Sequence, residues 1–128
     1  MDQELILKAG LLHRHFNEIE EKLNFIEQQV FELQNFDIGL DELDKSKESG
    51  MLAPLGKGIF IESEIKDKKL FVEVGAGILI RKSPEEARKI IVQQINKLKE
   101  IKHNLSDNLT SVKKGLGDLM KEVKRAES

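Results

Sequence analysis

The sequence predicts an α+β fold: a long antiparallel coiled-coil helical hairpin with two small β-hairpins inserted between its helices at the base. Three observations carry this expectation. A stretch at each end of the 128 residues repeats apolar side chains with an average spacing of 3.5, and a central stretch switches to alternation at every second residue. The composition agrees, with 34% charged residues, 5% aromatic and no Trp, Tyr or Cys. Such a chain lacks material for one thick core but suits long helices with thin apolar stripes and charged flanks.

In the N-terminal half the row is Leu5, Ala9, Leu12, Phe16, Ile19, Leu23, Ile26, Val30, Leu33, Asp37 and Leu40, and only Asp37 breaks it. A 3.5-residue repeat keeps one seam facing a partner helix in a left-handed supercoil. Glu18 and Lys22 on the flank stand in the favourable i, i+4 order.

The middle changes period. Helical spacing ends in the polar stretch Leu43–Gly50. Ile59, Ile61 and Ile65 then alternate with Phe60, Glu62 and Glu64, and Leu70, Val72 and Val74 alternate with Phe71 and Glu73. Lys66-Asp67-Lys68 reads as a turn, Gly75-Ala76-Gly77 as a second break, and Ile78–Ile80 as a further strand. With the segment near Met51–Leu55 this makes three or four strands, or two linked hairpins. Short hairpins are barely stable alone and have pairing-prone edges, so this segment is the expected assembly surface.

The second helix starts at Ser83-Pro84-Glu85-Glu86, with Ser at the N-cap, Pro at the first helical position and Glu at N3. Its row is Ile91, Ile95, Leu98, Lys102, Leu105, Leu109, Val112, Leu116, Leu119 and Val123, broken only by Lys102. Periodicity leaves the register open, so Lys102 either faces Ile26 or reaches Glu27. The expected organisation is one domain, 1–128, with an N-terminal coiled-coil helix at 1–47, a β-hairpin oligomerisation segment at 51–82 and a C-terminal coiled-coil helix at 83–126. At about 1.5 Å per residue each seam is about 50–55 Å long.

Several chemistries are absent. Without Cys there are neither disulfides nor thiolate metal sites, which fits a reducing compartment. Basic and acidic residues number 21 and 23, so no global field favours nucleic acid or an anionic membrane. The start, MDQELILKAGLLHRHF, has acidic residues and no long apolar run, unlike a signal peptide or a membrane span. The expectation is a cytoplasmic protein with no nucleic-acid or membrane partner. Gly56-Lys57-Gly58 fails as a phosphate loop because five residues separate Gly50 from Gly56 and Gly58 follows the Lys. Neither it nor Gly75-Ala76-Gly77 completes a dinucleotide-binding pattern, since Ile61 and Ile80 stand where the third glycine belongs. Both read as turns. His13 and His15, two apart on a helix, point to nearly opposite sides and cannot chelate together. They and His103 read as solvated side chains. No Ser or Cys has the setting of a nucleophile, so neither catalysis nor a cofactor nor a metal is expected.

Antiparallel pairing brings the chain ends together at a tip away from the β base. There Ile6, Leu7 and Leu11 are surplus to the row members Leu5 and Leu12, and across from them stand Leu116, Leu119, Met120 and Val123. Gly115 and Gly117 weaken the helix locally, so the end with surplus apolar surface is also the end most prone to fray. These nine residues form the expected surface for other proteins, with Met adding adaptability.

One family pattern covers most of the chain. Pro54-Leu55-Gly56-Lys57-Gly58-Ile59-Phe60-Ile61, then Asp67, Val72-Glu73-Val74-Gly75-Ala76-Gly77-Ile78 and Lys82-Ser83-Pro84-Glu85-Glu86-Ala87 resemble the central region of archaeal-type prefoldin alpha subunits. Ala53 and Ile80-Arg81 depart from the pattern, which has Val and Val-Glu there. The resemblance implies an ATP-independent holdase subunit in a heterohexamer of two alpha and four beta subunits. It implies coiled-coil tips that hold unfolded client proteins and deliver them to a group II chaperonin. It also implies assembly through the β segment, with Ile59, Phe60, Ile61, Ile65, Leu70, Phe71, Val72, Val74, Ile78 and Ile80 as the assembly residues. The alternative is a structural protein of the same fold that self-assembles into filaments or scaffolds.

Overall fold

The computed structural model describes residues 3–127, with side chains described through residue 126. The expected ranges 1–47 and 1–128 include Met1 and Asp2, and the second also Ser128, which lie outside the described residues. The elements run α1 (Gln3–Lys45), β1 (Gly50–Gly56), β2 (Ile59–Glu64), β3 (Leu70–Gly75), β4 (Ile78–Lys82) and α2 (Pro84–Glu127). Two long helices thus bracket two small antiparallel hairpins, β1–β2 and β3–β4. Every seam residue of α1 is buried or half-buried, Asp37 included, and so is every seam residue of α2, Lys102 included.

The chain divides into two compact units. The first holds α1 up to Glu32 and α2 from Ile95 onward. Its buried core is Ile19, Ile26, Val30, Ile95 and Val112. The helices run antiparallel: Lys102 Nζ lies 3.4 Å from Glu27 Oε1, and Lys113 Nζ sits 5.7 Å from the centre of the Phe16 ring. The register left open at Lys102 therefore resolves toward Glu27. Lys102 keeps its stem in the seam and its ammonium at the edge, as long cationic side chains do. Glu18 and Lys22 form no ion pair within 4.0 Å among the described residues. Contacts within 4.0 Å at i, i+4 spacing include Asp41–Lys45, Lys82–Glu86 and His103–Asp107.

The second unit, Leu33–Gln94, contains the end of α1, both hairpins and the start of α2. Leu40, Pro84 and Ala87 are buried in it. α1 ends without a glycine cap. Lys68, in the segment between the hairpins, donates to the carbonyl of Asp44 at 2.7 Å and also to that of Ser46. A lysine can satisfy last-turn carbonyls in this way and complements the negative end of the helix dipole. α2 starts with the expected capping box. The Glu86 amide donates to Ser83 Oγ at 3.1 Å, and the Ser83 amide and hydroxyl donate to Glu86 Oε1 at 3.2 and 3.0 Å. These bonds from Ser83, with the nearby Lys82, hold the Glu86 carboxyl below its ordinary range.

Of the alternatives open for the middle segment, the structure adopts two linked hairpins. Lys66-Asp67-Lys68 connects them and does not close a hairpin, because β2 and β3 do not pair. Ile65 follows β2, its amide donating to the Ser49 carbonyl at 2.6 Å. Both glycine-flanked triplets are tight turns. Lys57 and Gly58 have φ of 51° and 78°, and Ala76 and Gly77 have φ of 50° and 74°. Two central residues with positive φ match the twist of the flanking strands. The preceding Gly56 and Gly75, at 116° and 125°, occupy backbone space that residues with a Cβ avoid.

Candidate functional site

Two sets of apolar side chains remain open to solvent, one in each unit. In the first unit the start of α1 lies alongside the end of α2. A Cβ built on Gly115 would meet Leu12 Cδ1 at 3.5 Å. Among the nine residues expected at this end, Leu5, Leu12, Leu116, Leu119 and Val123 are half-buried in the seam. Ile6, Leu7, Leu11 and Met120 are 51%, 66%, 61% and 55% exposed. The group therefore has two layers. Five residues hold the helices together, and four present side chains outward.

In the second unit Ile59, Phe60, Ile61, Phe71, Val74, Ile78 and Ile80 are exposed, and Ile65, Leu70 and Val72 are half-buried. Each hairpin has only two strands, so both of its faces lie near the surface and its outer edges carry backbone groups with no partner strand among the described residues. Four exposed ribbon residues were absent from the expected set: Met51, Leu52, Leu55 and Leu79. The signal for them lay in the repeated turn pattern, since Leu55-Gly56-Lys57-Gly58-Ile59 and Val74-Gly75-Ala76-Gly77-Ile78 place equivalent residues around both turns.

Beside β3, a groove of about 380 Å³ is lined by Phe36, Leu40, Leu70, Phe71, Val72 and Ile91 among others. Phe25, Phe31, Ile38, Val92 and Ile101 are further exposed apolar residues on the helices, outside the seam rows. At the edge of the second unit's seam Arg88 meets two carboxylates, Asp37 and Asp41, with N···O distances down to 2.9 Å. Hydrogen bonding to Asp37 raises the Arg88 pKa above its ordinary value. The Asp41 carboxyl is lowered, first by its bond from Lys45 and then by the charges of Lys45 and Arg88.

The described residues contain no group of three or more His, Cys, Asp or Glu able to hold a metal ion. None of their helices is long and apolar enough to cross a membrane. His13, His15 and His103 are all exposed.

A two-helix coiled-coil hairpin with paired β ribbons between its helices, and apolar side chains left open on both, defines a class of coiled-coil subunit. The chain belongs to the prefoldin family: the family model described as Prefoldin subunit matches residues 12–127. Prefoldins are chaperones, not enzymes. The prefoldin subunit alpha of Methanococcoides burtonii is 26% identical over 114 residues, covering 88% of this chain and 83% of the relative. That of Methanobrevibacter smithii is 24% identical over 123 residues, covering 95% and 84%. Among solved structures, filamentous prefoldin from Methanocaldococcus jannaschii superposes with a TM-score of 0.75 at 22% identity, covering 94% of this chain and 99% of that one.

Proposed function

We propose that this chain is a subunit of an ATP-independent holdase that works in the cytoplasm. Non-native proteins are gripped at the paired helix ends and passed to a group II chaperonin. The single observation that carries this reading is the exposed quartet Ile6, Leu7, Leu11 and Met120, standing on helix ends that are themselves held by a half-buried seam. A few hundred Å² of apolar contact at about 25 cal/mol/Å² is worth only several kcal/mol per subunit before ordering costs. Several such subunits acting together retain a client by avidity, while each grip stays weak enough to release. Assembly with beta-type prefoldin subunits, two alpha with four beta, uses the ribbon segment 51–82.

The test replaces Ile6, Leu7, Leu11 and Met120 together by Ser in the assembled complex. Light scattering then follows aggregation of a denatured protein, and circular dichroism confirms that the helices persist. Suppression is expected to fall to a small fraction of the unmodified level. Full retained suppression would refute the assignment of the helix ends.

A second reading has its own support. The solved relative from Methanocaldococcus jannaschii is filamentous, and four unpaired strand edges suit end-to-end growth. Under this reading the chain is a self-assembling structural protein, and its light scattering rises with time without any beta-type partner.

A further inference from the structure

On a helix surface a side chain has its nearest neighbours three and four residues away. For the exposed Leu11 the formally charged neighbours at those spacings are Lys8 and Arg14, and for the exposed Met120 the sole one is Lys124. Among the described residues, Glu4, three before Leu7, is the one acidic side chain so placed around Ile6, Leu7, Leu11 or Met120. Asp118 and Glu122 stand two residues either side of Met120, nearly opposite it on α2.

The cations beside the exposed apolar residues have nothing to hold. Lys8, Arg14 and Lys124 are exposed, and none of the three has an ion pair within 4.0 Å or a side-chain hydrogen bond among the described residues. Elsewhere the chain does pair its cations: Lys102 with Glu27 in the same unit, and Lys45, Arg81, Lys82 and Arg88 with carboxylates in the second. The sequence carries the same bias. Residues 1–16 and 113–128 hold seven basic and five acidic residues, whereas 17–112 hold 14 and 18, so the surplus of charge changes sign at the helix ends.

An exposed lysine costs nothing to leave in water, so position matters here more than number. When apolar groups of another protein cover Leu11 and Met120 they displace water, and a charge at the rim of that contact is felt more strongly than in bulk solvent. A carboxylate brought there is attracted, and an ammonium is repelled.

We propose that the helix ends select among non-native segments by charge: the preferred client is an apolar stretch interleaved with Asp or Glu. Lys8, Arg14 and Lys124 take its carboxylates, and Leu11 and Met120 take its apolar side chains. This selection rests on the client-binding role proposed for the helix ends and adds the chemical class of the client. Apolar contact supplies most of the affinity, and the cations supply the discrimination.

The test titrates the full chain, up to the millimolar range, into two dye-labelled peptides and follows fluorescence anisotropy. Both peptides carry the same leucines, one with Glu between them and the other with Lys. The Glu peptide is expected to bind about 3- to 30-fold more tightly at low ionic strength, and the ratio to fall to about 2 in about 1 M salt, where screening is nearly complete. Lys8→Gln, Arg14→Gln and Lys124→Gln together should bring the two affinities within about 2-fold, and Lys8→Glu, Arg14→Glu and Lys124→Glu together should reverse their order. These are exposed helix positions that form no ion pair, and circular dichroism checks that the helices persist in both variants. Equal binding of the peptides by the unmodified chain, tighter binding of the Lys peptide, or a preference for Glu that survives the triple Gln change overturns the charge selection and leaves the apolar grip standing. Binding of neither peptide removes both.

Discussion

Arg88 grips Asp37 across the two helices of the second unit, Nε to Oδ1 at 2.9 Å and Nη2 to Oδ2 at 3.3 Å, while Nη1 reaches Asp41 at 2.9 Å. Asp37 is the one residue that breaks the apolar row of α1, and the fork explains how a carboxylate is tolerated there. Paired guanidinium–carboxylate bonds are strongly directional, and a polar group at a seam position specifies register at some cost in stability. Arg88→Met or Asp37→Leu, which leave one charge without its partner, are each expected to lower the melting temperature by several degrees. Asp37→Leu combined with Arg88→Leu recovers much of the loss but loosens register. Spin labels at Gln34 and Gln93 would report this as more than one distance population. A single narrow population in the double variant would rule out the register role.

The cap and the clamp set an acid-side dependence. Glu86 and Asp41 have folded-state pKa values below their ordinary ones. Their contribution is therefore fully present above the ordinary carboxylate values of about 4, and is lost as pH falls through that range toward the lowered values. Arg88, raised from a value already far above neutrality, adds nothing to this window. Melting temperature should stay level from neutral pH down to about 5 and decline below about 4. Glu86→Gln should make that decline shallower; an unchanged acid limb would show that the capping box does not contribute.

Glycines at turn and helix positions should respond in opposite directions. Gly58 has φ of 78° with open space around it, so Gly58→Ala meets only backbone strain, at about 1–2 kcal/mol. Gly117 lies in α2 with nothing within 4 Å of an added Cβ, so Gly117→Ala should stabilise by about 0.5–1 kcal/mol through helix propensity. Gly115→Ala should do at least as well, because its Cβ gains ordinary contact with Leu12. Urea denaturation measures all three, and a Gly58→Ala protein as stable as the parent would contradict the turn geometry.

Seam and surface apolar residues should separate by stability. Ile19, 3% exposed, is the most buried residue of the first unit's core, and Ile19→Ala should cost about 2–4 kcal/mol. Leu7, 66% exposed, should change stability by less than about 0.5 kcal/mol when replaced by Ser. Comparable losses at both positions, measured by the same denaturation, would mean that Leu7 is buried in the assembled protein.

By itself the sequence determined the seam, the cap at Ser83 and the glycine turns. Each is written in residues a few positions apart, where 3.5-residue spacing, side-chain capping and positive φ act locally. It also determined that Asp37 and Lys102 interrupt the stripes, but not what they meet. Only the tertiary structure decided that Asp37 takes Arg88, 51 residues away, that Lys102 takes Glu27, and that Lys68 closes the end of α1 across 22–24 residues. The split at the helix ends, by contrast, was already written in the rows: the row members Leu5, Leu12, Leu116, Leu119 and Val123 are half-buried, and Ile6, Leu7, Leu11 and Met120, outside the rows, are exposed. The physical reason is register. A repeat of identical apolar rungs pairs almost equally well in several alignments, and the choice among them rests on side chains far apart in the chain that become neighbours only once the helices have folded back.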